Sequence, residues 1–373
     1  MAIDVNALLK LMIQKEISDI HFKAESHPAL RFQGMMIPAT NLPKLTADDI
    51  KTAAYQLMNQ GQQKEFEKEM ELDIAYSLEN ISRFRVNIFR QKGTIGLTLR
   101  VVPVKLRPFE ELNLPVAPLK KLAGESRGLI LFAGITGAGK TTTLNSFVHH
   151  LNNNCQFRII TVEDPIEFYH ADAKSTIVQR EVGKDTHSFA TALKHILRQD
   201  PDVVVIGEMR DHETMAAALN AAETGHLVLS TIHTMNSSQT VDRIIDAHPV
   251  HQHNQVRQQI ANTLKGVIGQ RLVISKDHKS RYPATEILIV NSVIRRHLIE
   301  GKTSEVYKII ENGAYYGMHS FDQDLLRLYS EGKIDEATVI ENSNNPEDVG
   351  LKLKNIATGQ QMVDNPINQP FNG

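Results

Sequence analysis

Gly134-Ile135-Thr136-Gly137-Ala138-Gly139-Lys140-Thr141 fits the pattern G-x-x-x-x-G-K-[ST] at every fixed position. An apolar run over 129–133 reads as a buried strand before it, and a helical stretch over 141–151 follows. That context is what a phosphate-binding loop needs. Glycines let successive backbone N–H groups close around a phosphate, and the helix N-terminus adds a partial positive charge. Lys140 is placed to neutralise β/γ-phosphate charge and the Thr141 hydroxyl to ligate Mg²⁺, with Gly134, Thr136, Gly137, Ala138, Gly139 and Thr142 completing the nucleotide-binding set.

Outward from this loop, apolar runs alternate with helical stretches from about 127 to 275. GLILFAG, FRIITVE, DVVVIGE and HLVLSTI read as strands, and 141–151, 188–198 and 212–223 as helices. Unbroken apolar runs mean strands buried on both faces, hence a parallel sheet covered by helices. Ligands of such sheets bind beyond the carboxyl ends of the strands, so Glu163 and Glu208, which follow two of the runs, are expected to face the loop. A carboxylate there activates the attacking water or holds Mg²⁺ through its waters. Gly207 stands where an aspartate commonly ends such a strand, so Mg²⁺ is expected to be coordinated through water and not directly by a carboxylate. His226 and His233 bracket LVLST, and either could sense a γ-phosphate or serve structure alone. His248, His251 and His253 lack nearby carboxylate or cysteine partners and read as a solvated loop.

The part up to about residue 102 has a different character, α+β. Val5, Leu8, Leu9, Met12 and Ile13 recur at helical spacing, and strand-like runs lie around 20–22 and 30–32, the second turning at 33–34. Thr46 with Asp49 opens a helix through about Asn59, and RFRVNIFRQKGTIGLTLRVV is a hairpin turning at Lys92-Gly93. Arg83, Arg85 and Arg100 on that hairpin are either a solvated face or candidate arginine fingers reaching a nucleotide. Pro103, Pro108, Pro115 and Pro118 mark an extended linker, so the division expected is 1–102, a linker at 103–118, a nucleotide-binding core at 119–275, a mainly helical subdomain at 276–358, and a disordered tail at 359–373.

Composition narrows the function. Of 373 residues, 41 are Lys or Arg and 43 Asp or Glu, a net charge of −2 that leaves no basic footprint for nucleic acid. Cys155 is the single cysteine, which excludes an intrachain disulfide and a cysteine zinc cluster and fits a reducing compartment. The N-terminal stretch reads as an amphipathic helix and no signal peptide, and no run of about 18 apolar residues is present, so a cytosolic protein is expected.

GITGAGKTTTLNS, TVEDPIEF, QREVG, RQDPDVVVIGEMRDHET and ETGHLVLSTIHT, in that order, resemble the secretion-type ATPases, and among them the PilT/PilU family of twitching-motility ATPases that power type IV pilus retraction. SDIHF and SRFRVNIFR extend the resemblance over nearly the whole chain. The resemblance implies a PAS-like N-terminal domain, a RecA-like ATPase domain, and a homo-hexameric ring binding ATP and Mg²⁺ between the two. It also implies roles for Glu163 in an acidic box, Glu208 as catalytic base, His226 and His233 as a histidine box, and one of Arg83, Arg85 and Arg100 as a finger. The partners implied are an inner-membrane pilus platform protein and a paralogous pilus ATPase, which would place the chain at the cytoplasmic face of that membrane. One departure stands out: the family's A-I-R-N-L-I-R-E segment reads VIRRHLIE here, with Ile299 in place of the second arginine. GMHSFDQDLLRLYSEGKI is more PilU-like and MRDHETMAAALNAAETGH more PilT-like. The alternatives are therefore an accessory motor dependent on a partner ATPase, or an assembly ATPase for pilus extension or type II secretion. The last is disfavoured by the lack of a four-cysteine zinc insert.

Overall fold

The computed structural model describes residues 4–15, 17–32, 35–78, 82–102 and 106–357. The turn expected at 33–34, the start of the linker at 103–105 and the tail from 358 onward lie outside them. The chain divides into two compact units, and the division falls after Lys105.

The first unit contains α1 (Val5–Gln14), β1 (Asp19–Phe22), β2 (Ala29–Phe32), β3 (Met35–Pro38), α2 (Ala47–Leu57), α3 (Gln60–Glu69), β4 (Glu71–Leu78), β5 (Ser82–Gln91) and β6 (Thr94–Val102). Its strands form an antiparallel sheet ordered β3-β2-β1-β6-β5-β4. Thr46 and Asp49 close a reciprocal cap on α2, as their spacing predicts. The β5–β6 hairpin turns where Lys92 (φ 46°) and Gly93 (φ 78°) both take the left-handed conformation that a two-residue turn requires. Phe84, Val86 and Ile88 alternate inward from β5 onto Leu9, Met12, Ile50 and Phe66 of the helices. Sequence reading missed α3, β3 and β4, whose polar or short runs carry little periodicity.

The second unit contains α4 (Val116–Ala123), β7 (Gly128–Ala133), α5 (Lys140–Asn154), β8 (Arg158–Glu163), β9 (Thr176–Glu181), α6 (Phe189–Ile196), β10 (Val203–Ile206), α7 (His212–Glu223), β11 (Leu227–Ile232), α8 (Ser237–Asp246), α9 (His253–Thr263), β12 (Leu264–Ile274), β13 (Arg281–Ile289), and α10 to α14 at Ser292–Glu300, Val306–Glu311, Phe321–Ser330, Glu336–Asn342 and Pro346–Ala357. The sheet runs β13-β12-β7-β11-β10-β8-β9, parallel throughout except for β13. Every residue of β7, β10 and β11 is buried, which is why these strands are apolar without alternation.

Two expected boundaries shift. The stretch read as linker is in part core: Phe109 and Leu114 are buried with the second unit, Phe109 against Phe147 at 6.0 Å between ring centres. Proline marked the direction of the chain there, but two apolar side chains decided its burial. β13 also extends the sheet past 276 into what was expected to be helical. Pro283 is tolerated because β13 is an edge strand. A separate small core joins Val273 and Ala284 of the last two strands to Leu325, Leu328, Val339 and Val349 of α12–α14.

Candidate nucleotide site

The phosphate-loop residues form the turn between β7 and α5, and the backbone explains each glycine that matters. Gly134 (φ 157°) and Gly139 (φ 87°) both press against β12: a Cβ on Gly134 would meet the Gln270 carbonyl oxygen at 2.5 Å, and one on Gly139 the Gln270 amide nitrogen at 2.7 Å. Gly139 caps α5 with no side-chain acceptor, whereas Thr46, Ser188, Asp211 and Asn236 cap α2, α6, α7 and α8 through their side chains. The first amides of α5 are left to an anion held in the loop. Lys140 is buried, and its Nζ donates to the carbonyls of Gly134 at 2.9 Å and Ile135 at 3.0 Å. Burial lowers the pKa of this ammonium, while Glu208 first and Glu167 second support its charged form.

Strand order then sets what faces the loop. Next to β7 comes β11, whose end leads to His233; next is β10, whose end leads to Glu208. Glu208 Oε1 lies 3.1 Å from His233 Nε2 and Oε2 lies 2.8 Å from Arg210 Nε, while His233 Nδ1 lies 3.4 Å from the Thr136 hydroxyl in the loop. Burial and the Lys140 charge lower the His233 pKa against the pull of Glu208, which favours the neutral imidazole. The segment bearing Glu208 is fixed by Thr231, whose hydroxyl donates to the Gly207 carbonyl at 2.7 Å and whose carbonyl accepts from the Met209 amide at 3.0 Å. Gly207 has a steric reason: a Cβ there would meet Glu163 Cα and the Val162 carbonyl, each at 3.3 Å.

Glu163 departs from expectation. It is buried, and its Oε1 accepts from the Thr161 hydroxyl at 2.7 Å and the Gln179 amide at 3.1 Å, so the carboxylate is turned between β8 and β9. Desolvation raises its pKa. The second carboxylate acting on Lys140 is Glu167, four residues later, which sequence reading passed over. His226 departs too. It precedes β11, with Nδ1 3.0 Å from the Ala221 carbonyl and its own carbonyl accepting from Gly128 at the start of β7. A strand of this length separates it from His233 by about 20 Å. Of the two histidines, only His233 reaches the loop within one chain.

On the first unit, Arg83 and Arg85 project from the outer face of β5, opposite the buried Phe84 and Val86. Arg85 stands across from Arg100 on β6, and Arg100 Nε binds the buried Asp19 carboxylate at 2.5 Å. The His248 cluster is no solvated loop throughout: His248 is buried, its ring 4.6 Å from that of His212. Among the described residues no group of three or more His, Cys, Asp or Glu is set to hold a metal by itself. The hard oxygen donors at the loop are the Thr141 hydroxyl and the Glu208 carboxylate, which suit a cation carried mainly by phosphate oxygens. Gln270 was also missed. It is buried under the loop and accepts from the Thr143 hydroxyl at 2.6 Å, a contact between residues 127 positions apart.

A parallel sheet with a phosphate loop after one strand and a carboxylate-bearing turn two strands away defines a RecA-like P-loop ATPase fold. The sequence matches the family described as type II/IV secretion system protein over residues 1–353, and the chain belongs to that family, in its PilT/PilU branch. It is 39% identical to the type IV pilus retraction ATPase PilT of Pseudomonas aeruginosa over 92% of this chain and 99% of that one. It is 38% identical to the type IV pilus ATPase PilU of the same organism, over 93% and 90% respectively. The crystal structure of the pilus retraction motor PilT with bound ADP superposes with a TM-score of 0.86 at 39% identity, covering 93% of this chain and 98% of that one.

Proposed function

We propose that this chain is an ATP-hydrolysing ring motor that retracts type IV pili. The observation that carries the reading is the line Thr136–His233–Glu208–Arg210 beyond the carboxyl ends of adjacent strands, within a chain similar over nearly its whole length to a pilus retraction ATPase. The loop amides and Lys140 bind the phosphates. Glu208, held by His233 and Arg210, accepts the proton of the attacking water. The Thr141 hydroxyl would hold Mg²⁺, which neutralises phosphate charge when bound. The reading includes a homo-hexamer, in which one of Arg83, Arg85 and Arg100 serves a neighbouring subunit's nucleotide and a membrane platform protein receives the work. No helix among the described residues is long and apolar enough to cross a membrane, so the chain would act from the cytoplasmic side through that partner.

Hydrolysis by Lys140→Ala and Glu208→Ala tests the chemistry, and ordinary turnover by both would sink it. Deleting the gene in its own host, scored for surface pili and twitching together, tests the direction. Abundant pili without movement support retraction, and loss of pili indicates extension. One observation favours an accessory role as the second reading: Ile299 is 47% exposed on the outer face of α10, where the family segment carries its second arginine. Near-normal pili with weakened movement would select that role.

A further inference from the structure

The loop between β8 and β9 has no regular structure, yet it is tied down on two sides. Toward the sheet, Gln179 on β9 divides its amide: Oε1 accepts from the His170 backbone at 2.9 Å, and Nε2 donates to the Phe168 carbonyl at 2.8 Å and to Glu163 at 3.1 Å. Toward α5, His170 Nε2 lies 2.8 Å from Asn145 Oδ1, and Asn145 Nδ2 donates to the Thr141 carbonyl at 2.9 Å. Because the Asn145 amide gives its N–H₂ to a carbonyl, its oxygen must accept, which places a proton on His170 Nε2. Burial independently holds His170 neutral, with its pKa at about 4. Ile166 and Phe168 are buried on either side of Glu167, so Glu167 is forced outward.

We propose that His170, with Asn145 and Gln179, is a positioning residue that clamps this loop to the first turns of α5 and so couples the end of β8, at Glu163, to the phosphate-loop helix. The inference rests on the nucleotide-site reading above. The bridge runs from the Thr141 carbonyl, at the start of the phosphate-loop helix, through the Asn145 and His170 side chains, the His170 backbone amide and the Gln179 side chain to Glu163 at the end of β8, so a shift of either end is passed to the other.

The test uses the full chain and the variants His170→Leu, His170→Gln and Asn145→Ala, with fluorescent ADP binding, steady-state hydrolysis, and hydrogen exchange of segment 164–170. We expect His170→Leu to keep ADP affinity within about threefold, to lower kcat about tenfold, and to speed exchange in the segment. His170→Gln, which retains a donor, restores most of kcat. Asn145→Ala cuts the bridge from the helix side and is read the same way should His170→Leu fail to fold. Wild-type kcat in both His170→Leu and Asn145→Ala overturns the proposal, as does unchanged exchange in 164–170, whereas failure of the wild type to bind ADP overturns the nucleotide-site reading.

Discussion

His233 Nε2 lies 3.1 Å from Glu208 Oε1, a pairing across the ends of two adjacent parallel strands. The same ring faces the Thr136 hydroxyl of the phosphate loop at 3.4 Å. The imidazole therefore stands between the Glu208 carboxylate and the loop that precedes α5. His233→Ala is expected to lower kcat about 10- to 100-fold while ADP affinity changes little. His226→Ala, at the far end of β11, leaves ADP affinity of the same protein unchanged. A His233→Ala kcat within about twofold of wild type, or a loss of ADP affinity in His226→Ala, would contradict this placement.

Gln270 supports the loop from beneath, accepting from Thr143 and leaving no room for a side chain at Gly139. Gly139→Ala needs a strained φ and drives a Cβ to 2.7 Å from the Gln270 amide, so it should cost about 1–3 kcal/mol and abolish ADP binding. Adding Gln270→Ala removes the collision but not the backbone strain. Thermal denaturation should show the double variant regaining part of the loss, and simple additivity would argue against the collision.

Acid should destabilise the protein through His170. The folded state holds this ring neutral down to about 4, whereas an unfolded histidine takes a proton near 6.5. The unfolded chain thus binds more protons in that window, and stability is full above 6.5 and falls as pH drops toward 4. The loss approaches about 2 kcal/mol by pH 5. The groups involved are the buried ring, its partner Asn145 and the neighbouring His149 charge, which disfavours protonation further. Urea midpoints at pH 7 and pH 5 should fall more for wild type than for His170→Gln. Parallel falls would remove His170 as the cause.

Arg100 and Arg85 separate structure from function in the first unit. Asp19 is buried and takes Arg100 at 2.5 Å, with Arg31 farther away at 3.8 Å. Arg100→Ala leaves a buried carboxylate short of its main partner and should destabilise the protein by about 1–3 kcal/mol. Arg85 is exposed, and Arg85→Ala should change stability by less than about 0.5 kcal/mol. A turnover defect in Arg85→Ala at unchanged stability marks a finger, whereas one in Arg100→Ala must first be corrected for unfolding. A stable Arg100→Ala would dismiss the structural role.

The sequence by itself determined the loop from Gly134 to Thr141, the strands that flank it, and the order of Glu163, Glu208 and His233 along the chain. These are local: fixed spacings for phosphate contact, unbroken apolar runs for buried parallel strands, and Thr46 with Asp49 for a helix start. Tertiary structure alone decided which of them meet. Strand order put β11 next to β7 and β10 next to β11 and so brought His233 and Glu208 to the loop, while the direction of β11 left His226 at the opposite end. It turned Glu163 inward onto Gln179 and left Glu167 exposed, and it laid Gln270 beneath a glycine more than a hundred residues earlier. The physical reason is that phosphate-loop chemistry is written in consecutive backbone groups. Carboxylate, imidazole and amide contacts are instead made between side chains that only the stacking order and direction of the strands bring within hydrogen-bond reach.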